Sequence, residues 1–389
     1  MTKKWSSRLT FFAFVVLMVG LGSNDSLRGI FSTIFQEHFS LTTTQLGLIV
    51  TASYIGNLVF LLVGGNLSTR FSKKRVLQVL ILIWMAALAL FAFTSNYTVL
   101  LIGMALALGS STLLNTTMNL ITPLLFATAP GFFVNFLFFT QEIGTSGSQY
   151  ILGSHADGFA FWQHTNLVLL ILGAVAFVLL LFCNVPEEAA DPADTPAQKG
   201  GYDWRIIVPY VLVFGFYFIA EHGVMNWMVA YGVDGLGLPQ ASAAKYLSVF
   251  FGGMMIGRLC LSPLVDKLGA LKSLAAFGGV SCVLYLIGSL GGALTMPVWA
   301  ISGLSFSILY PTLVMSIRLY FPAQQVSGAA GTILSIASLA DILFNVGFGK
   351  LVDMAGYAVS IRVLPLSVLA FFIVFMLFTK FCKPMQKLK

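Results

Sequence analysis

Charge is scarce in this chain. Of its 389 residues only 9% are Asp, Glu, Lys or Arg, while 58% are hydrophobic. A soluble domain carries about 25% charged residues, so a water-solvated globular fold is excluded. Cysteine is equally sparse. Cys183, Cys260, Cys282 and Cys382 lie in or beside apolar runs, without the spacing of a metal site or a disulfide framework. The four histidines, His38, His155, His164 and His222, are scattered without ligand spacing, so no metal is expected. No Gly-rich phosphate loop is present, because Gly252-Gly253 falls inside an apolar run, and no nucleophile–base pair stands out. An enzyme is therefore not expected, nor is a cofactor. The apolar segments are long and unbroken rather than alternating over about ten residues, which excludes a β-barrel.

What remains is a succession of apolar blocks, each near the roughly 20 residues that a spanning helix needs. They run over about 9–35, 45–67, 76–94, 97–125, 132–154, 165–184, 205–232, 241–263, 271–290, 294–319, 326–350 and 358–380. The expected fold is an all-α membrane protein with twelve transmembrane helices. The net charge of +7 does not point to nucleic acid; its placement is topological. With a cytoplasmic N-terminus, the inner loops hold Lys3, Lys4, Arg8, Arg70, Lys73, Lys74, Arg75, Lys199, Arg205, Lys267, Lys272 and the C-terminal lysines. Only Lys245, Lys350 and Arg362 fall outside, a positive-inside bias that puts both termini in the cytoplasm of a multi-pass cell-membrane protein. The basic, then apolar, N-terminus shows no small-residue cleavage site and reads as an uncleaved first helix.

Ser23-Asn24-Asp25-Ser26-Leu27-Arg28 interrupts the first block with an acid and a base. A charge at bilayer depth costs about 2.5–3.5 kcal/mol on insertion scales, so it is rarely there without a use. The i, i+3 spacing puts Asp25 and Arg28 on one helix face. They are either a structural ion pair or part of a substrate or proton site. Other blocks repeat the pattern. Asn135, Glu142, Thr145 and Gln149 share one helical face, as do Ser335, Ser338, Asp341 and Asn345. Asn115 and Asn119 stand at i, i+4, and Glu221, His222, Asn226, Trp227 and Tyr231 cluster around Gly223. Tyr310-Pro311 marks a helix break, and Arg318 reads as an inner-face anchor. Thr145, Ser335 and Ser338 read as hydrogen bonds that stitch helices together. Trp227 and Tyr231 fit interfacial packing as well as a site. Glu142, Glu221 and Asp341 carry costly charge and are functional candidates. Amides, carboxylates and a tryptophan suit a hydroxylated, sugar-like ligand.

One stretch, 185–203, is rich in Pro, Gly and acids and cannot bury a core. It divides the chain into an N-terminal six-helix half (1–184), a cytoplasmic linker (185–204) and a C-terminal six-helix half (205–389). A helix-end signal recurs four times. It reads Gly65-Asn66-Leu67-Ser68-Thr69-Arg70, Gly153-Ser154-His155-Ala156-Asp157, Ser262-Pro263-Leu264-Val265-Asp266-Lys267-Leu268-Gly269, and Gly349-Lys350-Leu351-Val352-Asp353 with Gly356 beyond. Alternating topology makes each half two inverted three-helix repeats, an architecture that places its site at midplane between the halves.

These features resemble the major facilitator superfamily of transporters along the whole chain. Gly65, Leu67, Arg70, Lys73 and Lys74 match the family's G-x-L-x-D-R-x-G-R-[KR] signature, with Thr69 in place of the acid and Ser72 in place of the second glycine. Asp266, Lys267 and Gly269 keep the signature in the third repeat, and Arg258 resembles the family's helix-eight arginine. The resemblance makes Gly65, Thr69, Arg70, Lys73, Lys74, Arg258, Asp266 and Lys267 gating residues; Thr69 can still cap a helix, uncharged. Asn24-Asp25, Asn115-Thr116-Thr117-Met118-Asn119, Asn135 with Gly144, Glu221 with Trp227, and Tyr310-Pro311-Thr312 are similar to motifs of the fucose permease-like (fucose/galactose/glucose:proton symporter) branch. The implied function is proton-coupled uptake of a sugar or similar small polar solute by alternating access, with proton-driven efflux of a drug or metabolite as the alternative. Proton coupling then falls to Asp25, Glu142 and Glu221. Substrate binding falls to Asn24, Arg28, Asn57, Asn115, Asn119, Asn135, Gln141, Glu142, Asn226, Trp227, Tyr310, Asp341 and Asn345. The family's helix-four glutamate is Asn115 here, so its second coupling carboxylate is missing. The partners implied are a small-molecule substrate, protons and the lipid bilayer, for a monomeric protein.

Overall fold

In hydrocarbon a backbone N–H or C=O has no water to bond, so apolar segments satisfy themselves as helices. A computed structural model of the chain describes residues 3–126, 130–186 and 202–385, and among these residues there is no strand. The helices are α1 (Lys3–Ile30), α2 (Ser32–Phe39), α3 (Thr43–Arg70), α4 (Lys73–Phe93), α5 (Tyr97–Leu125), α6 (Pro130–His155) and α7 (Gly158–Leu181). They continue as α8 (Trp204–Ala230), α9 (Gln240–Leu268), α10 (Ala270–Leu290), α11 (Met296–Ile301), α12 (Gly303–Phe306), α13 (Leu309–Ser316), α14 (Ala323–Ala355), α15 (Tyr357–Ser360) and α16 (Val363–Phe381). Among the described residues, 11 helical stretches are long and apolar enough to cross a membrane. The 26-residue α6 is not one of them, and it carries the polar run over 140–149.

The chain packs as two compact units, Met1–Asp191 and Pro192–Lys389. Most of the polar linker, residues 187–201 with Lys199, lies outside the described residues. In the first unit α3 and α4 both pack on α5, and α1 packs on α6 and α7. In the second unit α8 packs between α14 and α16, while α9 and α10 cover the broken stretch α11–α13.

Helix ends follow local chemistry. Asn96 caps α5 by accepting from the N–H groups of Thr98 (2.9 Å) and Val99 (3.2 Å). The Lys74 ammonium donates to the Leu181 and Cys183 carbonyls at 3.0 and 2.7 Å, covering orphan acceptors at the end of α7. Thr69 does not begin a helix. It lies inside α3, which runs on to Arg70, and Ser72 accepts from Arg75 N–H to cap α4. The turns after α9 and α14 share one geometry. Gly269 (φ 80°) and Gly356 (φ 74°) each donate N–H to the carbonyl four residues back, at 2.8 Å, and each opens the next helix. Left-handed φ at these corners is why glycine stands there. The break expected at Tyr310-Pro311 falls just before it. The helix interrupts at Ser307 and Ile308, and Pro311 sits in the first turn of α13, where its missing N–H costs nothing.

The α1–α6 contact sets the depth of the polar stretch in α1. Gly22 and Gly144 meet back to back: a Cβ on Gly22 would land on the Gln141 carbonyl, and one on Gly144 on the Val19 carbonyl. Ser23 Oγ donates to Val19 O (2.8 Å) and Gly144 O (3.3 Å), and Thr145 Oγ1 donates to Gly22 O (3.2 Å). Thr145 is thus a stitching residue, as its sequence context suggested. Small residues let two backbones approach closely, and that packing drives helix association where lipid is as apolar as the helix. A cavity of about 590 Å³ between α3, α4 and α5 is lined by Val59, Phe60, Phe71, Val76, Leu113 and their neighbours, with Arg75 its one charged wall. None of the candidate binding residues whose side chains are described lines it.

Adding one methyl at the crossing should separate α1 from α6. Gly144→Ala is expected to cost about 1–3 kcal/mol through overpacking. Gly147→Ala, whose Cβ meets nothing within 4 Å, should be silent. Thermal unfolding of the purified protein checks both; equal midpoints for the two variants would refute the tight crossing.

Candidate functional site

In the first unit the polar stretch of α1 is held from two sides. Trp84, fully buried on α4, donates its indole N–H to Asn24 Oδ1 at 3.0 Å. Ser111, buried on α5, donates its hydroxyl to Asp25 Oδ2 at 3.2 Å. Asp25 is half-buried. Arg28 is only 5% exposed and lies over the Tyr54 ring of α3, 5.4 Å from its centroid. The two charges act on one another without a contact inside 4 Å, so Arg28 is not clamped on Asp25. Its buried Nε has no hydrogen-bond partner. One face of the guanidinium is therefore used by an aromatic ring, and a donor is left over.

An amide ladder joins α5 to α6. Asn119 Nδ2 donates to Asn115 Oδ1 at 2.6 Å, and Asn115 Nδ2 donates to Gln141 Oε1 at 2.6 Å. All three side chains are half-buried. The Asn119 and Asn57 carbonyl oxygens and both polar atoms of the wholly buried Gln149 have no partner. Glu142, half-buried on α6, interacts with neighbouring groups.

In the second unit α8 and α14 meet through a chain of polar groups. Trp227, fully buried, donates to Asn345 Oδ1 at 2.9 Å. The Asn345 amide donates to Asp341 Oδ1 at 3.2 Å and to its backbone carbonyl at 2.9 Å. Asp341 Oδ2 lies 2.6 Å from His222 Nδ1. Asp341 is 2% exposed, His222 25%. Phe218 stacks on His222 with centroids 5.4 Å apart and planes 8° apart. Trp227 consequently has no free face; here it orients Asn345 and packs on Phe348. Glu221 and Arg258, both half-buried, act on Tyr217 and Tyr310, so these opposite charges share one neighbourhood. Asn226 is buried.

Among the gating candidates, Lys73 is buried and interacts with its surroundings, Lys74 caps α7, and Lys267 is exposed at the end of α9. The side chains of Thr69, Arg70, Asn135 and Asp266, and the surroundings of Gly65, lie outside the described residues. Sequence reasoning missed Ser111 and Trp84, and it singled out His222 without its partner Asp341. A buried tryptophan usually finds an acceptor for its N–H, which was the available signal for Trp84. Nothing local marks Ser111 or pairs His222 with Asp341, 119 residues away.

The comparisons with known proteins agree with this architecture. The chain is 23% identical over 333 residues to the L-fucose-proton symporter of Escherichia coli (strain K12), a match covering 74% of this chain and 75% of that protein. It is 26% identical over 341 residues to the glucose/galactose transporter of Brucella abortus (strain 2308), covering 82% and 81%. Among solved structures it is similar to the transporter FucP in the outward conformation (TM-score 0.65, 20% identity, 96% and 99% covered). It is also similar to the D-xylose-proton symporter (TM-score 0.75, 16% identity, 96% of each chain). At such identities the structures speak for the fold. The sequence profile of the Major Facilitator Superfamily matches residues 10–339, most of the chain, and the protein belongs to that superfamily of membrane transporters.

Proposed function

We propose that this transporter carries out proton-coupled uptake of a sugar or similar small polar solute by alternating access. The observation that carries the reading is Asp25. It is a carboxylate in the last third of the spanning helix α1, held by one hydroxyl and not locked in an ion pair. Such a group can change protonation without breaking the bundle. Relatives named as fucose–proton and glucose/galactose transporters support the substrate class.

On this reading twelve helices form two six-helix halves (1–184 and 205–389) joined by a cytoplasmic linker, with both termini cytoplasmic. Nested inverted repeats organise each half. The shared glycine corners at Gly269 and Gly356, and the left-handed Gly158 after the second signal, support the repeats. Asp25 takes a proton from outside, and its charge falls to zero. Asn24, Arg28, Asn57, Asn115, Asn119, Asn135, Gln141 and Glu142 supply hydrogen bonds from the first half. Asn226, Trp227, Tyr310, Asp341 and Asn345 act from the second, with Trp227 working through Asn345. Glu142 and Glu221 are the remaining carboxylates able to share coupling. Gly65, Thr69, Arg70, Lys73 and Lys74, with Arg258, Asp266 and Lys267, bias the inner gates. Inward movement of one proton gains about 2.3 kcal/mol per 100 mV of membrane potential. The transporter works as a monomer.

In proteoliposomes with an inward proton gradient, the wild type should concentrate at least one of L-fucose, D-galactose and D-glucose. Asp25→Asn should abolish that accumulation while exchange of labelled for unlabelled sugar persists. Accumulation by Asp25→Asn would remove Asp25 from coupling, and a purified protein that none of these hexoses stabilises against heat would argue for efflux instead. Arg28→Gln should raise the exchange KM about tenfold, or about 1.4 kcal/mol. Arg28→Lys should not restore it, since an ammonium lacks the planar fork that faces Tyr54. Restored affinity in the lysine variant would reduce Arg28 to a simple charge. Trp84→Phe leaves Asn24 Oδ1 buried and unbonded, and should lower stability by about 1–3 kcal/mol. Unchanged thermal unfolding would show that the Trp84–Asn24 bond is dispensable.

A further inference from the structure

Coupling at Asp25 leaves one titratable arrangement unused, the His222–Asp341 pair of the second unit. We infer that this pair is a second proton-binding site, which gains and loses one proton at His222 Nε2; its use in transport rests on the proton-coupled reading above, its existence does not.

The geometry assigns the roles. Asp341 is almost wholly buried, and each of its oxygens has a partner: Nδ1 of His222 at 2.6 Å from Oδ2, and the Asn345 amide donating to Oδ1 at 3.2 Å. Trp227 fixes the Asn345 carbonyl oxygen, so that amide cannot flip to offer an acceptor instead. A carboxylate only accepts. With Asp341 ionised, Nδ1 carries the hydrogen in either state of the ring, and the nitrogen that changes is Nε2. Phe218 holds the imidazole plane by stacking, while a quarter of the side chain stays accessible for proton exchange. With Nε2 protonated, the pair is imidazolium and carboxylate, with no net charge. With Nε2 bare, the pair carries one negative charge inside the bundle. That difference of one charge is what a coupling site needs, because each state favours different surroundings.

Other ionisable groups stand around the pair. On α8 itself the neighbours are Tyr217 and Glu221. From α9 comes Arg258, from α10 Tyr285 and from α13 Tyr310, while α16 offers no ionisable side chain over 363–379. Glu221 shares its neighbourhood with Arg258, through Tyr217 and Tyr310. The Tyr285 hydroxyl donates to the Ala220 carbonyl at 2.9 Å. Lys350 and Asp353 of α14 and Asp234 beyond α8 lie more than two helical turns further along their helices. The alternative is a permanent ion pair that only stitches α8 to α14.

The full-length protein, labelled with ¹⁵N-histidine and placed in lipid nanodiscs, tests the inference without a substrate. Of its four histidines, the one whose signals vanish in His222→Gln is identified directly. The expected result is an Nε2 signal that titrates between about pH 5 and about pH 9, with Nδ1 protonated throughout. Its midpoint should move when Asp341→Asn is introduced. Should Asp341→Asn not fold, proton uptake over the same range, followed with a pH indicator, should be one proton per chain lower in His222→Gln than in wild type. A His222 ring fixed in one state across the range, or equal proton uptake in both proteins, overturns the inference. Asp25→Asn separates the two readings. If that variant still accumulates sugar while His222 titrates, coupling at Asp25 fails and the second site stands.

Discussion

A polar side chain inside a helical bundle has no water to fall back on, so its position is set by whichever neighbour bonds it. This constraint organises both units around the same grouping. In each, a fully buried tryptophan donates its indole N–H to an asparagine that stands beside an intramembrane aspartate: Trp84 to Asn24 next to Asp25, and Trp227 to Asn345 one turn from Asp341. The tryptophan fills volume with its ring and spends its one donor on the amide oxygen. The amide is then fixed in one orientation, with its own N–H₂ available. In the second unit that N–H₂ goes to Asp341. The two groupings differ in what completes them: a serine hydroxyl at Asp25, a histidine ring at Asp341.

Hydrogen bonds of this sort are individually small, about 0.6 kcal/mol each between transmembrane helices. They fix orientation; close packing fixes position. At the α1–α6 crossing, Gly22 and Gly144 leave no room for a single methyl, and the depth of Ser23, Asn24 and Asp25 follows from that contact. In the second unit aromatic packing does the corresponding work, with Phe218 against His222 and Tyr217 stacked near Phe306 and Tyr310. A glycine seam tolerates no change of shape, whereas stacked rings can slide.

Most of the helical architecture was legible in the sequence, because a spanning helix announces itself by length and hydropathy alone. The α6 segment was legible as a helix from its flanking breaks, although its polar run lowers its apolar character. The corners at Gly269 and Gly356 were visible as repeated signals, since left-handed φ demands glycine. Legibility ended where a partner lies far along the chain. Trp84 finds Asn24 across 60 residues and Trp227 finds Asn345 across 118. His222 stood out in its polar cluster, but its partner is an acid of another helix, 119 residues on. Thr69 failed as a cap for a local reason: α3 continues one residue past it, and Ser72 takes the position.

Asn115 ties these strands together. Where the resemblance implies a glutamate, an asparagine both donates to Gln141 and accepts from Asn119, closing a neutral ladder between α5 and α6. An ionised glutamate there could accept from both neighbours but donate to neither, and would bring a further carboxylate into a unit that already holds Asp25 and Glu142. The ladder thus removes a carboxylate from the first unit without leaving a hole in its hydrogen bonding. On the proposed mechanism the ionisable burden shifts with it. Asp25 keeps the first unit's proton, and the carboxylate that pairs with a titratable partner is Asp341, in the second unit, with His222. On that mechanism each unit carries its own proton site, Asp25 in the first and the His222–Asp341 pair in the second.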